Sequence, residues 1–358
     1  MSTRHRGAAC DADIAIAVLG HGGVGRALLQ LLATPAAAGI HLVGIADSTR
    51  QLENPRGLVP GRAAGGLAAG GPRCEARLLA ALDASGARRR VIVDATAADA
   101  VANRHAAWLA GGYDVVSANK AAIGGSQADW TAVRTAQGHG ARYGDAATVG
   151  AGLPVLQALR RLRGCGDRLL AIEGVLSGSL SWLFNRFDGS RPFSELVRQA
   201  HAAGYSEPDP RLDLDGADVA RKLLILARSA GHALEPADVR VEGLVPEALR
   251  ATCVAEFLAR ADELDAGLEA RRREAAGCGQ VIRFVGTLDE EGRARVGLQA
   301  LPGGHPAARL AGTDNLFVLH TLRYRPRPLV IQGPGAGREL TAQALLGDLL
   351  ALRLQRAA

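Results

Sequence analysis

Lys222 and Asp218 stand four residues apart in the run ADVARKLLILAR, with the acid on the N-terminal side. On a helix that spacing puts an ammonium and a carboxylate on one face, in the favourable orientation. Four further acids, Glu207, Asp209, Asp213 and Asp215, crowd the loop just before them. Carboxylates gathered beside one lysine suit a substrate that carries an amino group, with the lysine giving or taking a proton. The plainer alternative is a solvated ion pair worth about 0.3–0.5 kcal/mol, with Asp213 or Asp215 capping the helix. Two features weigh against it: LLILA makes the helix interior apolar beside Lys222, and Arg221 shows that positive charge here did not require lysine. Of 42 Lys and Arg residues only Lys120 and Lys222 are lysine, which leaves 40 arginines. An ammonium can pass a proton, whereas a guanidinium, with a pKa above about 12, stays charged.

A second constellation is Gly20-His21-Gly22-Gly23-Val24-Gly25. It follows the apolar run IAIAVL (14–19) and opens the helical pattern RALLQLLATP; a second strand, 41–46, closes on Asp47. In that β, glycine turn, α, β context the motif points to dinucleotide binding. Gly20 permits the tight turn, Gly22 lets backbone amides approach a pyrophosphate, and Gly25 lets helix pack on strand. The helix N-terminus then stabilises the phosphate charge. Asp47 would bond a ribose 2′-hydroxyl and favour NAD. Ser48, Thr49 and Arg50 would instead receive the 2′-phosphate of NADP. Both cofactors stay open, with a slight lean to NADP.

The elements that must hold these groups follow from the patterning. A helix at 76–84 precedes the strand VIVDAT (91–96); a helix at 98–110 precedes the strand YDVVSAN (113–119), which ends at Lys120. A helix at 126–137 leads to a strand at 141–143, and 56–72 reads as a Gly/Ala/Pro-rich surface loop. Alternation of this kind predicts an α/β, Rossmann-like, doubly wound parallel sheet, with ligands beyond the carboxyl ends of the strands, where Thr96 and Lys120 lie. After Val149-Gly150-Ala151-Gly152-Leu153-Pro154 the pattern changes. Helices at 155–163, 180–187 and 193–203, a strand at 169–177 and strands at 281–288, 294–301 and 316–324 predict an α+β second domain. A glycine turn and an amphipathic helix end the chain. The expected division is a dinucleotide-binding domain over 1–148, completed by 333–358, and a second domain over 149–332.

With 358 residues, 48% hydrophobic and 22% charged, the chain is neither disordered nor a fibrous or disulfide-built scaffold. The net charge is +6, but the basic runs at 88–90, 160–163 and 271–273 are short, and aromatics are only 4%. They read as solvated helix faces, and no nucleic-acid partner is expected. Five cysteines, odd in number and far apart, read as reduced thiols. The start lacks the apolar stretch of a signal peptide, and no run reaches the roughly 20 apolar residues of a membrane span, so a soluble cytoplasmic protein is expected.

Taken together, GHGGVG, SANK, ATVGAGLPVLQAL, EGVLSGSLSWLFN, GYSEPDPRLDLDGADVARKLLILAR, AGTDN and QGPGAGRELTAQALLGDL resemble the homoserine dehydrogenases over nearly the whole chain. The central segment looks most like the dehydrogenase half of bifunctional aspartokinase–homoserine dehydrogenases; a short monofunctional form is expected. The resemblance implies NAD(P)H-dependent reduction of L-aspartate 4-semialdehyde to L-homoserine, in threonine, methionine and isoleucine biosynthesis. It makes Lys222 the acid/base residue, Asp218 its positioning partner, and Glu207, Tyr205 and Asp213 the holders of the substrate amino group. It puts Gly178 and Ser179 by the substrate carboxylate and Lys120 against nicotinamide and substrate. Gly20, Gly22, Gly23, Val24, Gly25, Asp47, Arg50, Thr96, Gly335 and Gly337 fall in the cofactor site. It also implies a homodimer joined through the second-domain sheet, and a sodium-like cation on the backbone carbonyls of Val149, Ala151 and Leu153. One departure stands out: the acid usual three residues before the valine of VGAG is here Ala146, with Asp145 one place earlier. Another amino-acid dehydrogenase on the same scaffold and a non-catalytic nucleotide sensor are the competing classes.

Overall fold

The computed structural model describes residues 13–138 and 140–354. Cys10 and the chain start, on which the thiol and leader expectations partly rest, lie outside the described residues. The chain forms two compact units, Met1–Gly152 with Gly337–Ala358, and Leu153–Ala336. Both junctions fall four residues later than the sequence pattern suggested. Gly152 stays with the first unit because it packs on Leu340, and 333–334 stay with the second because they belong to its last strand.

In the first unit, strands β1 (Ile14–Leu19), β2 (Ile40–Ala46), β3 (Arg50–Glu53), β4 (Gly71–Pro72), β5 (Arg89–Asp94), β6 (Asp114–Ser117) and β7 (Tyr143–Gly144) form one sheet in the order β4-β3-β2-β1-β5-β6-β7. The pairings among β2, β1, β5, β6 and β7 are parallel, and β3 and β4 add an antiparallel edge. All six residues of β1 are buried, which is why it reads as a continuous apolar run rather than an alternating one. Ile14, Ile16 and Val18 pack in one core with Leu28 and Leu29 of the helix Gly23–Leu32 and with Leu345 and Leu349 of the final helix Arg338–Leu354.

Two expectations fail here. The stretch 56–72 is not a plain loop: it holds a helix, Pro60–Gly66, a 3-10 turn, Leu67–Ala69, and β4. Pro60 presets the first helical turn, while Ala63 and Leu67 sink into the core; glycine and alanine around them hid those two anchors. The first basic run is not a helix face either. Arg89 lies on β5 and donates to the buried Asp114 at 2.8 Å. Arg271–Arg273 do lie on a helix, Asp265–Gly277, where Arg272 and Arg273 both pair with Glu269.

The second unit has the sheet order β13-β12-β8-β10-β11-β9, from strands β8 (Leu169–Val175), β9 (Val239–Val241), β10 (Gln280–Asp289), β11 (Ala294–Pro302), β12 (Asp314–Thr321) and β13 (Leu329–Pro334). Every pairing is antiparallel except β11 with β9. The helix Ala217–Ala230 buries the run Lys222–Ser229.

Candidate active site

The glycine turn is closed by contacts that no side chain could share. Gly20 has φ +102°, and a Cβ there would sit 2.7 Å from the Ala95 carbonyl oxygen. A Cβ on Gly25 would sit 1.9 Å from the Gly20 carbonyl oxygen, so strand and helix touch backbone to backbone. A Cβ on Gly22 would meet nothing within 4 Å, which leaves an open approach to the helix start. No side chain caps the helix Gly23–Leu32, and its first turn holds no acid. Its free amides and positive dipole end are therefore offered to an anion. Val24 is half-buried beside them. Arg338, directly after Gly337, brings its Cδ within 3.4 Å of the Cβ position on Gly23. The glycine pattern marks Gly337 in the sequence but not the arginine; a basic residue straight after a glycine turn was the available signal. Gly335 is not in this unit: it lies against Asn315 of the second.

At the end of β2, Asp47 Oδ1 accepts from the amides of Arg50 at 2.7 Å and Thr49 at 2.8 Å. Those two bonds hold its carboxyl below the usual carboxylate range. The Arg50 guanidinium donates to the Gly70 carbonyl at 3.1 Å, and Arg73, unnoticed in the sequence, donates to the Asp47 carbonyl at 2.8 Å. The turn thus combines one carboxylate with two guanidinium groups. At the end of β5 the Thr96 hydroxyl is spoken for: it donates to Asp94 Oδ1 at 2.7 Å and accepts from the Ala98 amide at 3.2 Å. What Thr96 turns toward Gly20 is its methyl group, 3.0 Å from the Cβ position. Lys120 is half-buried and follows Asn119, whose amide donates to the Ala98 carbonyl at 3.0 Å.

In the second unit Lys222 is only 8% exposed. Its Nζ lies 2.8 Å from Asp218 Oδ2 and donates to the Leu176 carbonyl at 2.7 Å. Arg221, one position away, is exposed, so the helix turns its arginine to solvent and its lysine inward. The Leu176 carbonyl also accepts from Asn315 Nδ2 at 3.2 Å, with Asn315 fully buried. Neither Leu176 nor Asn315 stands out in the sequence, although AGTDN contains the latter; a carbonyl acceptor leaves no mark in a sequence. Ser177 caps the helix Gly178–Arg186 and bonds Ser179 at 2.8 Å. The Ser179 hydroxyl donates to Asp213 Oδ1 at 2.6 Å, and the Glu207 amide donates to Asp213 Oδ2 at 2.8 Å. Glu207 itself is exposed, and Tyr205 stacks on Trp182 with ring centroids 5.2 Å apart. Within this unit the structure gathers Ser179, Glu207 and Asp213 through direct bonds, with Gly178 next to Ser179 at the helix start, and ties Lys222 to Asp218 and to the carbonyl just before Ser177. Asp209 is not part of that gathering; it pairs with Arg211 at 2.7 Å.

A family model described as "Homoserine dehydrogenase" matches residues 154–350, and one described as "Homoserine dehydrogenase, NAD binding domain" matches residues 20–143. The chain belongs to the homoserine dehydrogenase family. A bifunctional aspartokinase/homoserine dehydrogenase 1 of Zea mays is 44% identical over 266 residues, 74% of this chain and 29% of that protein. A homoserine dehydrogenase of Paracoccidioides brasiliensis is 42% identical over 274 residues, 73% of this chain and 74% of that protein. The chain thus spans under a third of the length of the maize relative. Among solved structures, a Candida auris protein of unknown function superposes with a TM-score of 0.88 at 33% identity, covering 94% of this chain and 97% of that one. No helix among the described residues is long and apolar enough to cross a membrane.

The environment of Asp213 has a measurable consequence. Burial pushes its carboxyl up, against the lowering effect of the Ser179 and Glu207 bonds, and the nearby Asp218 and Asp215 charges push the same way. In the window just above 3.8 the folded state then holds more proton than the unfolded state, so stability falls as pH rises through it. Relative to Asp213→Ala, the wild type is therefore expected to be more stable at about pH 4 than at about pH 7, as read by denaturant unfolding.

Proposed function

We propose that this chain reduces L-aspartate 4-semialdehyde to L-homoserine with NAD(P)H, reversibly, in threonine, methionine and isoleucine biosynthesis. The observation that carries this reading is the buried Lys222 ammonium, held between Asp218 and the Leu176 carbonyl beside an acid-lined loop. A reduced nicotinamide supplies the hydride. Lys222 gives its proton to the carbonyl oxygen as the carbonyl carbon is reduced, so an alkoxide never has to stand unneutralised. Asp218, with a side chain 47% exposed, orients the ammonium and links it to solvent for reprotonation. Glu207, Asp213 and Tyr205 take the substrate amino group. The start of the helix Gly178–Arg186, with Ser179, takes its carboxylate. Lys120, at the carboxyl end of β6, serves nicotinamide and substrate.

The dinucleotide is assigned to Gly20, Gly22, Gly23, Val24, Gly25, Thr96 and Gly337, with Gly335 retained from the family pattern. Asp47 supports a ribose 2′-hydroxyl contact, while Arg50 and Arg73 at the same turn support a 2′-phosphate; the lean to NADP rests on those two guanidiniums. A sodium-like cation on the carbonyls of Val149, Ala151 and Leu153 is supported by the left-handed backbone of Gly150 and Ala151, at φ +76° and +50°. Asp145, the displaced acid, is instead fully buried on Arg134 at 3.0 Å, so it brings no free charge to that cation. No step of the reaction depends on it. A cytoplasmic homodimer joined through the second-unit sheet completes the proposal. Cys74, Cys165, Cys253 and Cys278 are free thiols, in keeping with a reducing compartment.

Steady-state oxidation of NADPH and of NADH by L-aspartate 4-semialdehyde tests the assignment. Turnover with both, and a higher kcat/KM for NADPH, is expected. Failure to oxidise either would remove the functional reading, and a higher kcat/KM for NADH would reverse the cofactor lean.

A further inference from the structure

Asp94, His105 and Tyr143 are buried in the first unit, and nothing in the proposed proton transfer uses them. Asp94 and His105 are fully buried and Tyr143 is 7% exposed. Asp94 closes β5; His105 opens the helix His105–Ala110; Tyr143 lies on β7. Asp94 Oδ2 lies 2.9 Å from His105 Nε2, and His105 Nδ1 lies 2.9 Å from the Tyr143 hydroxyl. Burial pushes the Tyr143 phenol far up, so it keeps its proton. The ring thus bridges the two groups: Nε2 faces the Asp94 carboxyl, and Nδ1 faces the Tyr143 hydroxyl, which can bond that nitrogen in either sense. The other carboxylate oxygen, Oδ1, accepts the Thr96 amide at 2.9 Å and the Thr96 hydroxyl at 2.7 Å.

The relay therefore ends on the segment that meets the glycine turn. The Ala95 carbonyl oxygen and the Thr96 methyl lie 2.7 and 3.0 Å from the Cβ position of Gly20, and the Ala95 amide donates to the Leu19 carbonyl at 2.8 Å. The Asn119 amide also reaches toward the Thr96 hydroxyl at 3.4 Å, which ties in the loop that carries Lys120. Stability alone is a weak reason for such a trio. Apolar side chains of similar volume commonly match or exceed a buried polar pair in stability, whereas a polar chain fixes direction. We propose that Asp94, His105 and Tyr143 are positioning residues for the dinucleotide: they hold the Ala95–Thr96 strand end in register against the glycine turn. The proposal rests on the reading that this turn binds NAD(P).

Two substitutions at one position separate positioning from packing. The amide of His105→Gln reaches the place of Nε2 and still donates to Asp94. The amide of His105→Asn reaches only the place of Nδ1, so it addresses Tyr143 and leaves Asp94 without that donor. NADPH binding to each purified protein is followed by fluorescence titration, with thermal unfolding in parallel. We expect His105→Asn to raise the NADPH Kd roughly tenfold, and His105→Gln to stay within about threefold of wild type, as for other groups that orient a binding residue. Equal Kd for all three proteins would overturn the proposal, and so would equal weakening in both variants. If the wild type bound neither NADPH nor NADH, the dinucleotide reading would fall as well, a result distinct from unchanged variants.

Discussion

Replacing Lys222 by arginine is expected to keep the protein folded and to lower kcat by about 10²–10⁴-fold, the usual contribution of a positioned general acid. Charge is preserved, and the pair with Asp218 can be remade. What disappears is the transferable proton: a free ammonium, at about 10.4, is a usable acid near neutral pH, whereas a guanidinium above about 12 is not. Because the site is only 8% exposed, the larger side chain is itself a risk to packing. Lys222→Met, similar in length and uncharged, supplies the second arm. It leaves no buried cation and is expected to show the same loss of kcat with an unfolding temperature at or above that of the arginine variant. Wild-type turnover by either variant would remove Lys222 from the chemistry.

The second large effect is expected at Gly25. An added methyl lies 1.9 Å from the Gly20 carbonyl oxygen, backbone on backbone, with no flexible group able to yield. Gly25→Ala must therefore lift the helix Gly23–Leu32 off β1 or open the turn. Overpacking of this kind costs about 1–3 kcal/mol, and a displacement near 1 Å at a positioned site costs on the order of 10²-fold in the function it supports. Denaturant unfolding and NADPH titration read the two losses separately. Gly65→Ala is the control: its Cβ meets nothing within 4 Å, it lies in the helix Pro60–Gly66, and it should be neutral or slightly stabilising.

These two sites also show what a sequence exposes. Lys222, Asp218 and the glycine turn are local patterns, fixed by spacing within a helix or a turn, and such spacings are written along the chain. The acids Glu207 and Asp213 were likewise visible as a crowd, but their division of labour was not. Asp213 became the acceptor for Ser179 and Glu207 only through chain reversal, and Asp209 was diverted to Arg211. The Leu176 carbonyl, Asn315, Arg73 and Arg338 were missed because each acts through a partner distant in sequence, or through a backbone atom. The strands β3 and β4 and the helix Pro60–Gly66 were missed for another reason. Their anchors are single residues: Gln51 in the short polar run RQLE, and Ala63 in the helix with Leu67 just after it in a glycine- and alanine-rich stretch, so neither segment has enough apolar side chains to show a period. The Asp94–His105–Tyr143 relay spans three elements, and nothing but the fold brings those residues together.

Product stoichiometry tests the hydride acceptor and the proton donor together. Wild-type protein is incubated with NADPH and L-aspartate 4-semialdehyde, cofactor oxidation is followed by absorbance, and the amino acids are resolved on a chiral column. The proposed reaction requires one L-homoserine for each NADPH consumed, with neither product above background in the Lys222→Met protein. NADPH consumption without L-homoserine, or L-homoserine formed equally well by Lys222→Met, would contradict it.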